Sequence, residues 1–291
     1  MIRYIQPVYR PPSEADSLIL QATLGCSHNR CLFCHMYRNK DFRVRKWKEL
    51  RADMDEAALD YPGTRRIFLA DGDAFVLSAG RLLKILEYLS ERFPRLERVT
   101  CYANPENLLN KTVREMAEIR ERGLKIIYYG VESGDPELLK KVNKGASPDQ
   151  MAEGCRKASE AGIKLSVTVI LGLGGRKGSE RHAKKTAELI NRINPRFLSA
   201  LTLMTGPHGD NFAQCMGEDF EFNDSIDNVR ELRSLIAGLE VDRCIFRSNH
   251  ASNYLSLGGT LKKSKDKLLA EIDSALKNPG ICFRDEWMRG L

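Results

Sequence analysis

Apolar and polar positions along the chain fall into two alternating patterns. The first is a set of short, nearly continuous apolar runs: Ser17–Thr23 (SLILQAT), Ile67–Ala70 (IFLA), Arg98–Ala103 (RVTCYA), Leu124–Val131 (LKIIYYGV), Lys164–Leu171 (KLSVTVIL) and Phe197–Met204 (FLSALTLM). Such runs predict parallel strands covered on both faces. The first five stop at glycines or polar turns: Gly25, Asp71-Gly72-Asp73, Asn104-Pro105, Glu132-Ser133-Gly134 and Gly172-Leu173-Gly174-Gly175. In the second pattern the apolar positions recur every three or four residues. Ala79–Phe93 aligns Leu82, Leu83, Leu86 and Leu89 before Pro94, and Asn107–Arg122 aligns Leu108, Val113, Met116 and Ile119 before Gly123. Pro148–Ala161 opens after Ser147, a good N-cap with proline at the first helical position, and stops at Gly162. Glu180–Ile193 precedes Asn194-Pro195.

Strands alternating with helices predict right-handed crossovers and a parallel sheet, open or closed into a barrel. Past Met204 the pattern changes. Thr205–Phe222 is rich in Gly, Asp and Asn and reads as a long loop, and Ser225–Leu239 as a helix. Cys244-Ile245-Phe246 is a candidate seventh strand, and Ser264–Leu276 a last amphipathic helix. The expected division is a lead-in over 1–14, a core over 15–205 and a C-terminal extension over 206–291 packed on the core.

The 291 residues, 42% hydrophobic and 29% charged, suffice for one large α/β domain with a real core. No apolar run reaches 18 residues and the first residues lack a secretory apolar stretch, so a cytoplasmic protein with no membrane contact is expected. The net charge is +7, with a basic run at 38–48 that reads as a solvated face or as an attractor of an acidic partner.

Of the eight cysteines, Cys101, Cys155, Cys215, Cys244 and Cys282 are scattered and read as small buried apolar residues. The other three form Cys26-Ser-His-Asn-Arg-Cys31-Leu-Phe-Cys34, a C-x4-C-x2-C loop placed where the first strand ends. Thiolates at this spacing suit an iron–sulfur cluster or zinc, the latter recruiting His28 or His35. Three thiols on a four-iron cube leave one iron open to a chelating amine and carboxylate. A lone catalytic thiol fits the grouping poorly. Gly172-Leu173-Gly174 lacks the spacing and the acidic partner of a dinucleotide-binding turn.

The trio resembles the radical S-adenosylmethionine (SAM) superfamily, whose usual spacing is one residue shorter between the first two cysteines. Phe33 holds the aromatic place before the last cysteine. Asp71-Gly72-Asp73 stands where Gly-Gly-Glu meets the methionine amine. Gly130-Val131-Glu132-Ser133-Gly134 looks like the stretch shared by oxygen-independent coproporphyrinogen oxidase, Elongator-type and methylthiotransferase enzymes, with Glu132 at the ribose. Ile170 and Gly172 match a segment beside adenine, where Thr168 replaces the first glycine, and Leu203 would complete the adenine edge.

The resemblance covers roughly residues 15–205. It implies a partial (β/α)6 barrel and a [4Fe–4S] cluster on Cys26, Cys31 and Cys34. It also implies SAM bound by Phe33, Asp71, Gly72, Asp73, Glu132, Ser133, Ile170, Gly172 and Leu203. Reductive cleavage of SAM would then give a 5′-deoxyadenosyl radical that abstracts hydrogen, with flavodoxin or ferredoxin as electron donor. The polar segment after the seventh strand nominates Arg247, Asn249 and His250 as substrate contacts. Arg10, Glu14 and His208 are weaker candidates. A small-molecule substrate is favoured over tRNA. A non-catalytic iron–sulfur or zinc module is the competing class.

Overall fold

A computed structural model describes residues 2–290; Met1 and Leu291, the ends of the expected lead-in and extension, lie outside the described residues. Eight strands make up the main sheet: β1 (Leu18–Gln21), β2 (Arg66–Ala70), β3 (Arg98–Ala103), β4 (Leu124–Glu132), β5 (Lys164–Leu171), β6 (Phe197–Thr202), β7 (Ile245–Arg247) and β8 (Gly258–Thr260). The chain divides into two compact units. One runs to Arg30 and includes Cys34–Tyr129 and Glu153–Leu165; the other holds Cys31–Phe33, Gly130–Ala152 and everything from Ser166 on. Strands β4 and β5 each pass from one unit to the other.

In the first unit β1, β2, β3 and β4 pair in that order, all parallel, with Leu18 opposite Ile67, Leu69 opposite Cys101 and Ala103 opposite Tyr129. Leu20, Ile67, Phe68 and Leu69 of the strands and Leu82, Ile85, Leu86 and Leu89 of the helix Ala79–Arg92 are all fully buried, and the Phe68 ring meets Tyr102 and Tyr128 edge-on. Ser78 caps that helix by accepting from the Arg81 amide. The predicted helix over 107–122 is two helices, Pro105–Leu109 and Val113–Glu121. Thr112 takes an extended backbone between them and forms a reciprocal capping box with Glu115, a stronger local signal than the apolar spacing across it.

In the second unit β5, β6 and β7 are parallel and β8 joins antiparallel, with Phe197 opposite Ile245 and Gly259 opposite Phe246. The helix Gly175–Ile193 packs against Ser225–Gly238, which in turn packs against Leu261–Lys277. The expected loop over 205–222 contains the helix Gly209–Met216, whose Phe212 and Met216 are buried. Two apolar residues four positions apart make one helical stripe, and the polar composition around them hid it. The mostly parallel α/β class is as expected. Among the described residues no helix is long and apolar enough to cross a membrane.

Two composition readings need correction. Cys101, Cys155 and Cys244 are buried as expected, but Cys215 and Cys282 are exposed. The basic run is not one solvated face, because Lys40 and Arg45 are buried. Lys40 pairs with Asp71 at 2.6 Å, and Arg45 pairs with Asp53 from the helix Trp47–Asp60, which the apolar pattern did not reveal.

Candidate active site

Parallel strands bring their carboxyl ends to one edge, where loops are free to carry chemistry. In the first unit that edge holds Cys26 after β1, Asp71-Gly72-Asp73 after β2 and Asn104 after β3. Gly72 lies against the cysteine loop. A side chain there would begin 3.0 Å from Cys26 Cβ and 2.8 Å from the Tyr37 ring, so only glycine leaves Cys26 its place.

Asp71 is wholly buried and fully engaged. It accepts from Gln21 Nε2 and the Gly25 amide, both at 2.9 Å, and pairs with Lys40. That bonding assigns it to holding the turn. Asp73 is also wholly buried and accepts from Ser27, Asn107 and Asn104, the last at 3.0 Å. Burial pushes its carboxyl up to about 6, against the opposing pull of those hydrogen bonds. The Asn104 amide also lies 3.5 Å from Cys26 Sγ. Nothing in the sequence marked Asn104 as more than a strand stop.

In the second unit the corresponding edge holds Glu132, Gly172 and Leu203. Glu132 is buried, sits in the left-handed region at φ 63° and pairs with Lys144 at 2.9 Å. Its carboxylate folds back over Gly130: a β-carbon there would lie 1.9 Å from Glu132 Oε1. The glycine two residues before the acid is therefore what lets the carboxylate reach Lys144. Asp135 caps the following helix by accepting from the Glu137 amide. Ser133 accepts from the Asp135 amide at 3.0 Å within the same turn.

Lys144 also stands over the Phe33 ring, 5.9 Å from its centroid. Phe33, Ile170 and Leu203, with Leu32 and Phe220, are partly buried against a cluster of Leu138, Val142, Leu173, Phe212 and Met216. Phe33, Ile170 and Leu203, which come from separate elements, thus share one apolar wall.

Gly172, at φ 78°, is held from behind. Its amide donates to Glu231 Oε1 at 2.8 Å, and Glu231 also accepts from Ser179, from Asn223 at 3.1 Å and from His182 Nδ1 at 2.9 Å. Glu231 escaped the sequence reading because 59 residues separate it from Gly172.

The expected substrate contacts divide. Arg247 and Asn249 are exposed. The rest of the segment is a turn bonded to itself: Asn253 donates to the Ala200 and Ser248 carbonyls, and His250 Nδ1 meets Ser252 Oγ at 2.9 Å. Arg284 and Arg289 brace the turn from outside by donating to its carbonyls. Burial, then Arg284, lowers the pKa of His250. Arg10 and Glu14 serve the opposite edge, Arg10 bonding the Ser17 carbonyl and Glu14 pairing with Arg98 at 3.0 Å; His208 is exposed in a short 3-10 turn.

Each unit by itself has features that fit its part of the expected chemistry. In the first, Gly72 leaves room at Cys26 and a side-chain amide faces its sulfur, as a thiolate ligand of an iron–sulfur cluster requires. In the second, an apolar wall stands beside a paired carboxylate, as a nucleoside requires.

Residues 20–212 match the model of the radical SAM superfamily. The chain is 25% identical over 177 residues to 4'-phospho-dehydrooxetanocin synthase of Priestia megaterium, covering 53% of this chain and 23% of that protein. It is also 25% identical over 155 residues to an uncharacterized methyltransferase of Pyrococcus horikoshii, covering 53% and 32%. The match thus spans about a quarter to a third of these relatives' own length.

Among solved structures, coproporphyrinogen III oxidase (HemN) from Escherichia coli superposes with a TM-score of 0.57 at 16% identity, covering 76% of this chain and 51% of that one. Methylornithine synthase (PylB) gives 0.52 at 16% identity, covering 78% and 64%. These likenesses are of fold. With two thirds of its length matched by the family model, the chain belongs to the radical SAM superfamily, whose enzymes use a [4Fe–4S] cluster and SAM and draw on an electron donor.

Proposed function

Taking that membership as premise, we propose that Cys26, Cys31 and Cys34 hold the cluster and that the strand ends seat SAM for hydrogen abstraction from a small-molecule substrate. The observation that carries this reading is the meeting of Phe33, Ile170 and Leu203 on one partly buried apolar wall beside the Glu132–Lys144 pair. A purine needs flat apolar cover, and a ribose offers two hydroxyls to an acceptor. Lys144 engages one oxygen of Glu132, and a carboxylate accepts at both. The Glu231 network fixes the Gly172 loop under that wall, and Gly72 keeps the backbone clear at Cys26.

Held by Cys26, Cys31 and Cys34, a [4Fe–4S] cluster would supply the one-electron reducing power that SAM cleavage requires. The chain's own residues orient the nucleoside and cover it from water. Flavodoxin or ferredoxin is the proposed donor, drawn by the exposed Arg38, Arg43, Lys46 and Lys48. The burial of Lys40 and Arg45 in ion pairs thins the basic run and favours a small molecule over nucleic acid as substrate. Arg247 and Asn249 are the proposed polar contacts to it, with His250 held in the adjoining turn.

The test is anaerobic reconstitution followed by reduction with SAM. About four irons per chain and release of 5′-deoxyadenosine are expected. Both should be lost when Cys26, Cys31 and Cys34 are replaced by alanine. A protein that binds zinc instead, or loads a cluster without consuming SAM, would defeat the reading.

A further inference from the structure

We propose that Asn104 tunes the cluster through an N–H···S hydrogen bond to Cys26, an inference that rests on Cys26 being a cluster ligand. Asn104 directly follows β3, and its side-chain nitrogen lies 3.5 Å from Cys26 Sγ, 3.1 Å from Ser27 Oγ and 3.0 Å from Asp73 Oδ2. Its backbone amide donates to the other oxygen of Asp73 at 3.3 Å.

These contacts settle which way the amide points. Asp73 presents only acceptors to its neighbours, so the NH2 end of Asn104, not the carbonyl end, must face it. Ser27 donates its own hydroxyl proton to Asp73, which leaves its lone pair for Asn104. One hydrogen of the Asn104 NH2 serves the carboxylate. The other is directed at Ser27 Oγ and the Cys26 sulfur. Asn107, from the next helix, donates to the same Asp73 oxygen.

A donor aimed at a ligating sulfur stabilises the state with more negative charge on the cluster, which is the reduced one. Asn104 is therefore a positioning residue for electron entry: it raises the midpoint potential and eases reduction by the donor. Asp73 acts through it by holding the amide in line.

The experiment is an EPR-monitored redox titration of the anaerobically reconstituted protein without SAM, comparing wild type, Asn104→Leu and Asn107→Leu. Iron and sulfide content should be equal in all three. Asn104→Leu should shift the midpoint to more negative potential by about tenfold in the reduction equilibrium, about 59 mV for one electron. Asn107→Leu, which touches Asp73 but no sulfur, should leave it in place. An unmoved midpoint in Asn104→Leu overturns the proposal, as does an equal shift in both variants, which would trace the effect to the Asp73 charge.

If the leucine variants fail to load a cluster, wild type labelled with 15N in asparagine side chains decides the matter. Pulsed EPR of its reduced cluster should show a 15N coupling, and the absence of one overturns the proposal. A wild-type protein that takes up no cluster would refute the cysteine assignment itself, whereas a loaded cluster with an unmoved midpoint refutes only the role of Asn104.

Discussion

Replacing Gly130 by alanine tests whether the glycine before Glu132 exists to seat its carboxylate. The added β-carbon would lie 1.9 Å from Glu132 Oε1, 2.9 Å from its Cδ and 3.0 Å from Lys144 Nζ. Non-bonded carbon and oxygen atoms do not approach within about 3 Å, so the carboxylate has to retreat by about 1 Å. The backbone does not block the methyl group; the far end of a side chain does, so the fold should survive and the ion pair should yield.

That pair is 7% and 10% exposed, and outright removal of one partner of such a pair costs about 3–5 kcal/mol. Lengthening it should cost less, about 1–2 kcal/mol, or a fall of about 2–4 °C in Tm for a domain of roughly this size. The left-handed backbone of Glu132 fixes the direction of its side chain, so the displaced carboxylate cannot regain the same position by a backbone shift. If that position meets the ribose, loss of one charged hydrogen bond lowers SAM affinity about tenfold, or about 1.4 kcal/mol. The assay is a thermal melt with equilibrium dialysis of SAM against the reconstituted protein. Wild-type affinity at wild-type Tm would refute the reasoning, and unchanged affinity with a lowered Tm would refute the role of Glu132 alone.

Further expectations concern the buried acids. Glu231→Ala strands four donors and should cost about 3–5 kcal/mol by chemical denaturation while raising the KM for SAM. Glu231→Gln should keep most of both, since Asn223 can turn its amide to suit, and a Gln variant as damaged as the Ala one would contradict this. Lys40→Met leaves Asp71 buried without its cation and should destabilise by about 3–5 kcal/mol; a loss below about 1 kcal/mol in a denaturation curve would show that the two backbone and side-chain amides suffice.

Burial pushes the Asp73 carboxyl up to about 6 in the folded chain, from the ordinary 3.8 of an exposed aspartate, so between those values the native chain keeps a proton that the unfolded chain has released. Its contribution therefore favours folding below about pH 4 and is lost as pH rises through 6, by on the order of 3 kcal/mol. Asp73→Asn should remove that slope from the metal-free protein's denaturation profile between pH 4 and 7, and a parallel profile for the two proteins would count against it. Phe212→Ala should cost about 3–5 kcal/mol in the same measurement, because its ring fills the cluster behind Phe33.

What was legible in the sequence was what local composition encodes. Buried parallel strands need apolar residues on both faces, so β3 and β5 could be read to the residue and β4 to within one. The cysteine loop, Phe33 and Gly130-Val131-Glu132 announce themselves because their chemistry depends on neighbours in the chain. The groups that hold these residues in place do not. Lys40 finds Asp71 across 31 residues, Glu231 finds Gly172 across 59, and Asn104 finds Cys26 across 78.

Each of these supports is a polar residue of an ordinary type in an ordinary context, and its role follows only from burial beside a particular partner. The same logic explains the partial failure of the basic run. A lysine or arginine is counted as surface charge by default, yet the buried Asp71 after β2 has to be paired and took Lys40, while Arg45 turned inward to Asp53 of the following helix. A buried carboxylate in the turn after a strand is thus itself a sign that a distant cation or donor cluster is missing from the sequence reading. Asp71, Asp73 and Glu132, all at strand ends, each led to one.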